Sequence, residues 1–366
     1  MKNMPQNNEN SAMRDDEFDD DMALDVNPAE VAPDEEPDSE QDEPVESLSS
    51  SAILPPEAKG LRMDQAIAQA FPDYSRSRLT AWLKDGKISV NGVTCVPQRT
   101  PVEGGEVVEL LVEPERQTEA APENIPLNVV YSDEHIIVIN KPAGLVVHPG
   151  AGNATGTLMN ALLFHFPELR LLPRAGIVHR LDKDTSGLLV IARSLPAHKT
   201  LIEALSDRDM HREYMAVAQG LLVAGGMVDL PIGRHPRERT RMAVTESGRE
   251  AITHYRVAEK FRQHTLLRVQ LETGRTHQIR VHMSHIKLPL VGDPDYGGRL
   301  RLPKGASVEL VETLRAFRRQ ALHAARLELE HPATGELMAW EAPIPEDMQA
   351  LILLLREDLR LNPERN

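Results

Sequence analysis

The chain has 366 residues, 41% apolar and 27% charged, which suits two or three folded units and excludes a disulfide-stapled mini-protein. Its net charge of −15 lies wholly in residues 1–50, which hold 17 acidic and two basic residues; the remainder balances at 39 of each sign. Cys95 is the only cysteine, so an intrachain disulfide and zinc sites built on Cys pairs are excluded. The first ten residues are polar and show no apolar signal region, and the longest strongly apolar run, Leu351 to Leu355, is far too short to span a bilayer. A cytoplasmic protein without a membrane partner is expected.

Residues 1–58 carry acidic blocks such as Asp15-Asp16-Glu17, scattered prolines and one aromatic residue, Phe18. So little apolar surface cannot offset chain entropy, and the segment reads as a disordered acidic extension. Structure is expected from about Gly60. Met63, Ile67 and Phe71 recur at i, i+4 and i+8 and predict a short helix. A second helix follows in SRSRLTAWLKDG, with Ser75 as N-cap and Asp85-Gly86 as its stop. Asn91-Gly92 between β-branched residues signals a hairpin, and residues 106–112 close the unit as a strand. The result is a helix-helix-strand-turn-strand module over 59–113.

Residues 114–126 lack apolar periodicity and read as a linker. Beyond it, strands are predicted at 127–131, 135–139, 145–148, 188–193, 212–219, 252–258 and 264–272, and helices at 157–166, 196–206 and 276–286. A hairpin of 323–330 and 336–341 turns at Ala333-Thr334-Gly335, and a last helix runs from Glu346 to Leu359 within a C-terminal segment, 346–366. Strands in runs with a few helices predict an α+β fold, with 127–345 as the larger domain. No repeat or interface signature is visible, and a monomer is expected.

Three features carry chemistry. His179-Arg180-Leu181-Asp182-Lys183-Asp184-Thr185-Ser186-Gly187 crowds polar groups against the apolar run LLVIA, as active-site loops do, although a solvated charged turn has the same composition. Thr273 to Met283 reads as a helix presenting Ile279, Met283 and Ile286 to the core, with Arg280 at the polar edge of that stripe. Arg275 sits at its start, where a cation opposes the helix dipole unless an anion is near; an ordinary amphipathic helix is the plain alternative. Residues 231–304 hold 15 basic and seven acidic residues, centred on Arg234, Arg237, Arg239 and Arg241, which suits a polyanion partner or simple solubility. Arg76, Arg78, Lys84 and Lys87 add a second basic surface on the small module.

Other chemistries are disfavoured. His277, His282 and His285 have no acidic or thiol companion within their helix, so a metal site is not expected. The loop from Gly150 to Gly156 misses dinucleotide spacing by one residue and lacks a phosphate-loop ending, so no nucleotide cofactor is expected.

The ordered motifs resemble those of the RluA-type pseudouridine synthases. These are HRLDKDTSGLLV at 179–190, REYMAVAQG at 212–220, TGRTHQIRVHM at 273–283, LVGDPDYG at 290–297 and QALHA at 320–324. The module near 60–112 resembles the S4 RNA-binding domain. The resemblance spans roughly 55–345; the acidic extension departs from it. It implies a catalytic domain with a mixed, mostly antiparallel sheet and flanking helices. It also implies uridine isomerisation in a stem-loop of large-subunit ribosomal RNA on a pre-50S particle, without a cofactor. Asp182 would be the catalytic carboxylate, Arg280 its active-site arginine, with Arg275 as the rival, and Tyr214 the stacking tyrosine. Arg180, Arg275 and His277 would contact RNA, as would Arg76, Arg78, Lys84 and Lys87. The competing expectation is a catalytically silent ribosome-assembly factor, against which the intact Asp182, Tyr214 and Arg280 set argues.

Overall fold

The computed structural model describes residues 48–72, 74, 76–112, 120–150, 152–238 and 240–363. The acidic extension up to residue 47, the expected cap Ser75 and linker residues 114–119 lie outside them. Two antiparallel-rich sheets organise the chain, a small N-terminal one and a large mixed one, in an α+β arrangement.

The small sheet has the order β1-β4-β2-β3, formed by β1 (Leu48–Ile53), β2 (Ile88–Val90), β3 (Val93–Thr94) and β4 (Val107–Val112). Helices α1 (Met63–Ala70) and α2 (Arg76–Lys84) share its apolar core, where Ile67, Leu79 and Leu83 meet Ile88, Val108 and Leu110. Asn91 and Gly92 both take positive φ, 49° and 77°, as the two-residue hairpin requires. Order begins earlier than about Gly60. Strand β1 lies inside the stretch expected to be disordered and pairs with β4 from Leu48↔Val112 to Ile53↔Val107. Its sequence, LSSSAI, has no apolar alternation; backbone pairing to the edge of β4 orders it, and the fully buried Leu54 pins its end.

The large sheet runs β5-β6-β7-β14-β8-β13-β12-β9, with β15 added to β14. Its first strands are β5 (Val129–Ser132), β6 (Ile136–Lys141) and β7 (Ser186–Ala192). Then come β8 (His211–Gln219), β9 (Gly226–Asp229), β12 (Ile252–Lys260) and β13 (His264–Leu271). The hairpin of β14 (Leu322–Glu330) and β15 (Leu337–Glu341) completes it. Strands β10 (Ile232–Arg234) and β11 (Met242–Val244) form a separate ribbon. The contact of β7 with β14 is parallel; the other strand pairs described are antiparallel.

Strand β7 is buried at every position, which its continuous apolar run demands. Ile137 and Ile139 of β6 pack with α3 (Leu158–His165), whereas Ile136 and Val138 join α4 (Leu195–Asp207) on the other face. Thr157 caps α3 by exchanging hydrogen bonds with Asn160, and Ser194 caps α4. The expected strand at 145–148 is absent; Val146 makes one isolated bridge to Thr157. Helix α5 (Gln278–His285) lies near the predicted range. Helix α6 (Val308–Ala316), capped by Ser307, is an addition to the predicted elements, as are β9, β10 and β11. The C-terminal helix α7 (Glu346–Leu361) is no appendage, since Met348, Leu351, Ile352 and Leu355 share a core with Leu310, Val217 and Leu266. None of the described helices is long and apolar enough to cross a membrane.

Candidate active site

The loop from His179 to Thr185 enters β7 at the middle of the large sheet, and its shape is fixed from below. Lys141, fully buried at the end of β6, donates to the carbonyls of Pro142, Leu145 and Lys183, each at 2.9 Å. Burial pushes this ammonium down to about 7, while Asp184 and Asp182 pull the other way. Gln320 Nε2 holds Thr185 Oγ1 at 3.0 Å, and Arg319 Nη1 holds the Asp184 carbonyl at 3.3 Å. The turn closes through Thr185 N–H to the Asp182 carbonyl at 3.1 Å. Gly187, at φ +115°, follows at the β7–β14 seam, where a Cβ would lie 2.2 Å from the Ala324 carbonyl oxygen. Asp182 is thus presented on a braced turn, its side chain 16% exposed.

Arg280 reaches the same point from α5. Its Nη1 lies 3.3 Å from Asp182 Oδ2. Its Nε and Nη2 grip Asp293 in a two-pronged pair at 2.8 and 2.9 Å, and Nη2 also meets Asp295 at 2.7 Å. Burial works against the charge, but the carboxylates of Asp293, Asp182 and Asp295 outweigh it and hold the guanidinium protonated. Asp293 is itself fixed by the N–H groups of Asp295 and Tyr296, both at 2.9 Å. Tyr296 packs its ring centre 4.9 Å from the guanidinium carbons of both Arg280 and Arg241 and bonds His277 Nδ1 at 2.9 Å.

Two expectations about this helix are corrected. Residues 278–283 are all buried, so Arg280 is inside the protein and not at a polar edge; the carboxylates of Asp293 and Asp295 make that burial tolerable. The helix begins at Gln278, so Arg275 precedes it, and Arg275 Nε is spent on the Glu250 carbonyl at 2.9 Å. Between the two rival arginines, Arg280 is the one at Asp182. His282 is also buried, with its ring nitrogens at 2.9 Å from Thr253 Oγ1 and the Leu230 carbonyl. No group of three or more His, Cys, Asp or Glu among the described residues is placed to hold a metal ion.

Asp182, Tyr214, Arg280, Arg180, Arg275 and His277 line one cleft of about 450 Å³. His277 Nε2 lies 3.9 Å from Asp182 Oδ1. Burial lowers its pKa against the pull of Asp182, which keeps the ring neutral at physiological pH. Tyr214 is 5% exposed, and burial raises its phenol pKa. Arg180 is exposed at the rim. On the small module, Lys84 is exposed and Lys87 half-buried, while Arg76 Nη2 is paired with Asp64 at 2.7 Å; the Arg78 side chain lies outside the described part. Arg76, Lys84 and Lys87 are not among the residues that line the cleft. The sequence motifs contain Asp293, Asp295 and Tyr296 without revealing their role, and nothing in the local pattern singles out Lys141 or Arg212. An acidic pair set two apart within GDPDYG was the available signal, since a buried arginine needs such partners.

Residues 135–285 match the RNA pseudouridylate synthase family. The chain is 58% identical, over 86% of its length and 95% of the relative's, to ribosomal large subunit pseudouridine synthase D of Xanthomonas campestris. It is 55% identical to the protein of the same name from Pasteurella multocida, over 87% of this chain and 98% of that one. The Escherichia coli K12 protein of that name is 58% identical over 82% of this chain and 92% of its own. Identity of this extent, spanning nearly the whole of each relative, shows that the chain belongs to the RNA pseudouridylate synthase family, in its synthase D branch.

Proposed function

We propose that the chain isomerises specific uridines to pseudouridine in large-subunit ribosomal RNA, with Asp182 as the reacting carboxylate. The observation that carries this reading is the placement of Asp182 beside Arg280, at 3.3 Å, in a cleft shared with Tyr214 and lined by Arg174, Arg180 and Arg275. The N1–C1′ bond of the nucleotide breaks, the uracil turns, and C5 bonds to C1′ while the C5 proton is lost and N1 gains one. Nothing is consumed. Asp182 serves either by attacking C1′ or by removing a proton from the sugar, and both routes need a fixed carboxylate. Arg280, clamped by Asp293, orients it. The target must leave its stack before C1′ can be reached. Tyr214, lining the same cleft, offers its ring face to the displaced base, worth roughly 1–3 kcal/mol by stacking, and burial raises its phenol pKa.

The small N-terminal sheet with α1 and α2 is read as an S4-like RNA-binding module. Exposed Lys84, with Lys87 nearby, supplies phosphate contacts that position the substrate without reading its sequence. Such contacts suit a folded stem-loop on a pre-50S particle, recognised mainly by shape.

The test is tritium release from ribosomal RNA labelled at uridine C5. The Asp182→Asn protein should bind this RNA as the wild type does and release no tritium, a loss of roughly 10⁴-fold or more. Full release by that variant would remove Asp182 from the chemistry. Mapping pseudouridine in ribosomal RNA from cells with and without the gene identifies the positions modified.

A further inference from the structure

We propose that Arg212 binds a backbone phosphate flanking the target uridine. This rests on the RNA-modifying reading above and adds a substrate-binding residue to it.

Side chains alternate along β8, so Arg212, Tyr214 and Ala216 face the same buried side. Arg212 is 8% exposed, yet no hydrogen bond or ion pair joins its side chain to any described residue, and its Nε is buried without a partner. Arg280, buried to a similar degree, is matched by three carboxylates. The acids around the neighbouring depression that Arg212 also lines are already engaged. Glu213 pairs with Arg268, Glu272 with Arg208 and His254, and Glu328 with Arg326. A shielded guanidinium with no counter-charge is unfavourable in the free protein. It becomes favourable when an anion enters.

The anion's place follows from the cleft. Arg212 lines the cavity that also holds Asp182, Tyr214 and Gly274. Gly274 brings its backbone so close that a Cβ there would lie 3.0 Å from Arg212 Nη1. Two residues of extended strand, roughly 7 Å, separate Arg212 from Tyr214. A base resting on Tyr214 therefore brings its own sugar-phosphate backbone within reach of Arg212. Arginine's fork suits a phosphodiester, which it can bind through two parallel N–H bonds.

The experiment compares wild type, Arg212→Gln and Arg212→Lys on one short RNA that the wild type modifies, so wild-type tritium release checks the underlying reading separately. Arg212→Gln should weaken RNA binding about tenfold or more and flatten the slope of log affinity against log salt by roughly 0.7. Arg212→Lys should keep the slope and recover part of the affinity. The free Arg212→Gln protein should melt no lower than wild type, because an unpaired buried charge has been removed. Replacing each flanking phosphate in turn by an uncharged methylphosphonate, with 2′-O-methyl controls, should weaken wild-type binding at one position and leave Arg212→Gln indifferent there. Unchanged affinity and salt slope in Arg212→Gln overturns the proposal, as does a lowered melting temperature with unchanged affinity. Stabilisation of the wild type by inorganic phosphate alone, with no methylphosphonate effect, would assign the pocket to a free ion and overturn it equally.

Discussion

The two sheets are held together by different physics. The small N-terminal unit has an apolar core in which Leu54, Leu79, Leu83 and Ile88 are at most 1% exposed, and its buried Asp64 is paired with the exposed Arg76. The large sheet and the helix packed on it bury Lys141, Gln278, Arg280, Gln320 and His323, each hydrogen-bonded, Gln278 Nε2 to the Ile252 carbonyl and His323 Nδ1 with Ser186 Oγ, both at 2.9 Å. Apolar packing carries no titrating group and tolerates substitution of similar volume. A buried polar network fixes one geometry and loses heavily when a single member is removed. The reacting carboxylate sits on the second kind of foundation.

The sharpest way to break this contrast is Arg280→Ala. It leaves Asp293 and Asp182 without their cation, and a loss of about 3–5 kcal/mol in unfolding free energy is expected by denaturant titration, together with loss of tritium release. Leu83→Ala in the small unit is the counterpart. It should cost about 2–5 kcal/mol locally, yet single-turnover chemistry on RNA saturating the enzyme should be unchanged.

Acid should separate the regions further. His264, on β13, is fully buried with no hydrogen-bond partner on either ring nitrogen, and burial lowers its pKa to about 4. The unfolded ring protonates first as pH falls below about 6.5, so stability present above that pH is lost on the way down towards 4, by about 2 kcal/mol at pH 5. His179, lowered to about 3 by burial, accepts the Val190 N–H and adds in the same direction. Denaturation of wild type and His264→Leu at pH 7.5 and pH 5 measures the effect, and equal acid sensitivity in both would discard it. The smallest effect expected is Thr157→Ala, which removes the cap of α3 for about 1 kcal/mol, read as a shift in thermal midpoint.

Much of this was legible in the residues. The Asn91-Gly92 hairpin, the helix at 63–70 and the all-buried β7 each announce themselves through a local pattern. What escaped has no local pattern. Strand β1 is ordered by pairing with β4, far along the chain, as in Leu48↔Val112, and β9 to β11 are only three or four residues long. Arg280 reads as a helix-edge residue until Asp293 and Asp295 fold back on it from beyond the helix. Arg212 stands between a histidine and a glutamate in the half of its strand that alternates between faces, and only its lack of partners in three dimensions sets it apart.

Gly187 marks the parallel seam between β7 and β14, and Ala324 leaves no volume there for even a methyl group. A saturation library at this codon should return a single amino acid among functional clones. The join on which the reactive turn is mounted is therefore closed to sequence drift, and adaptation of this enzyme to new RNA targets must come from the rim of the cleft.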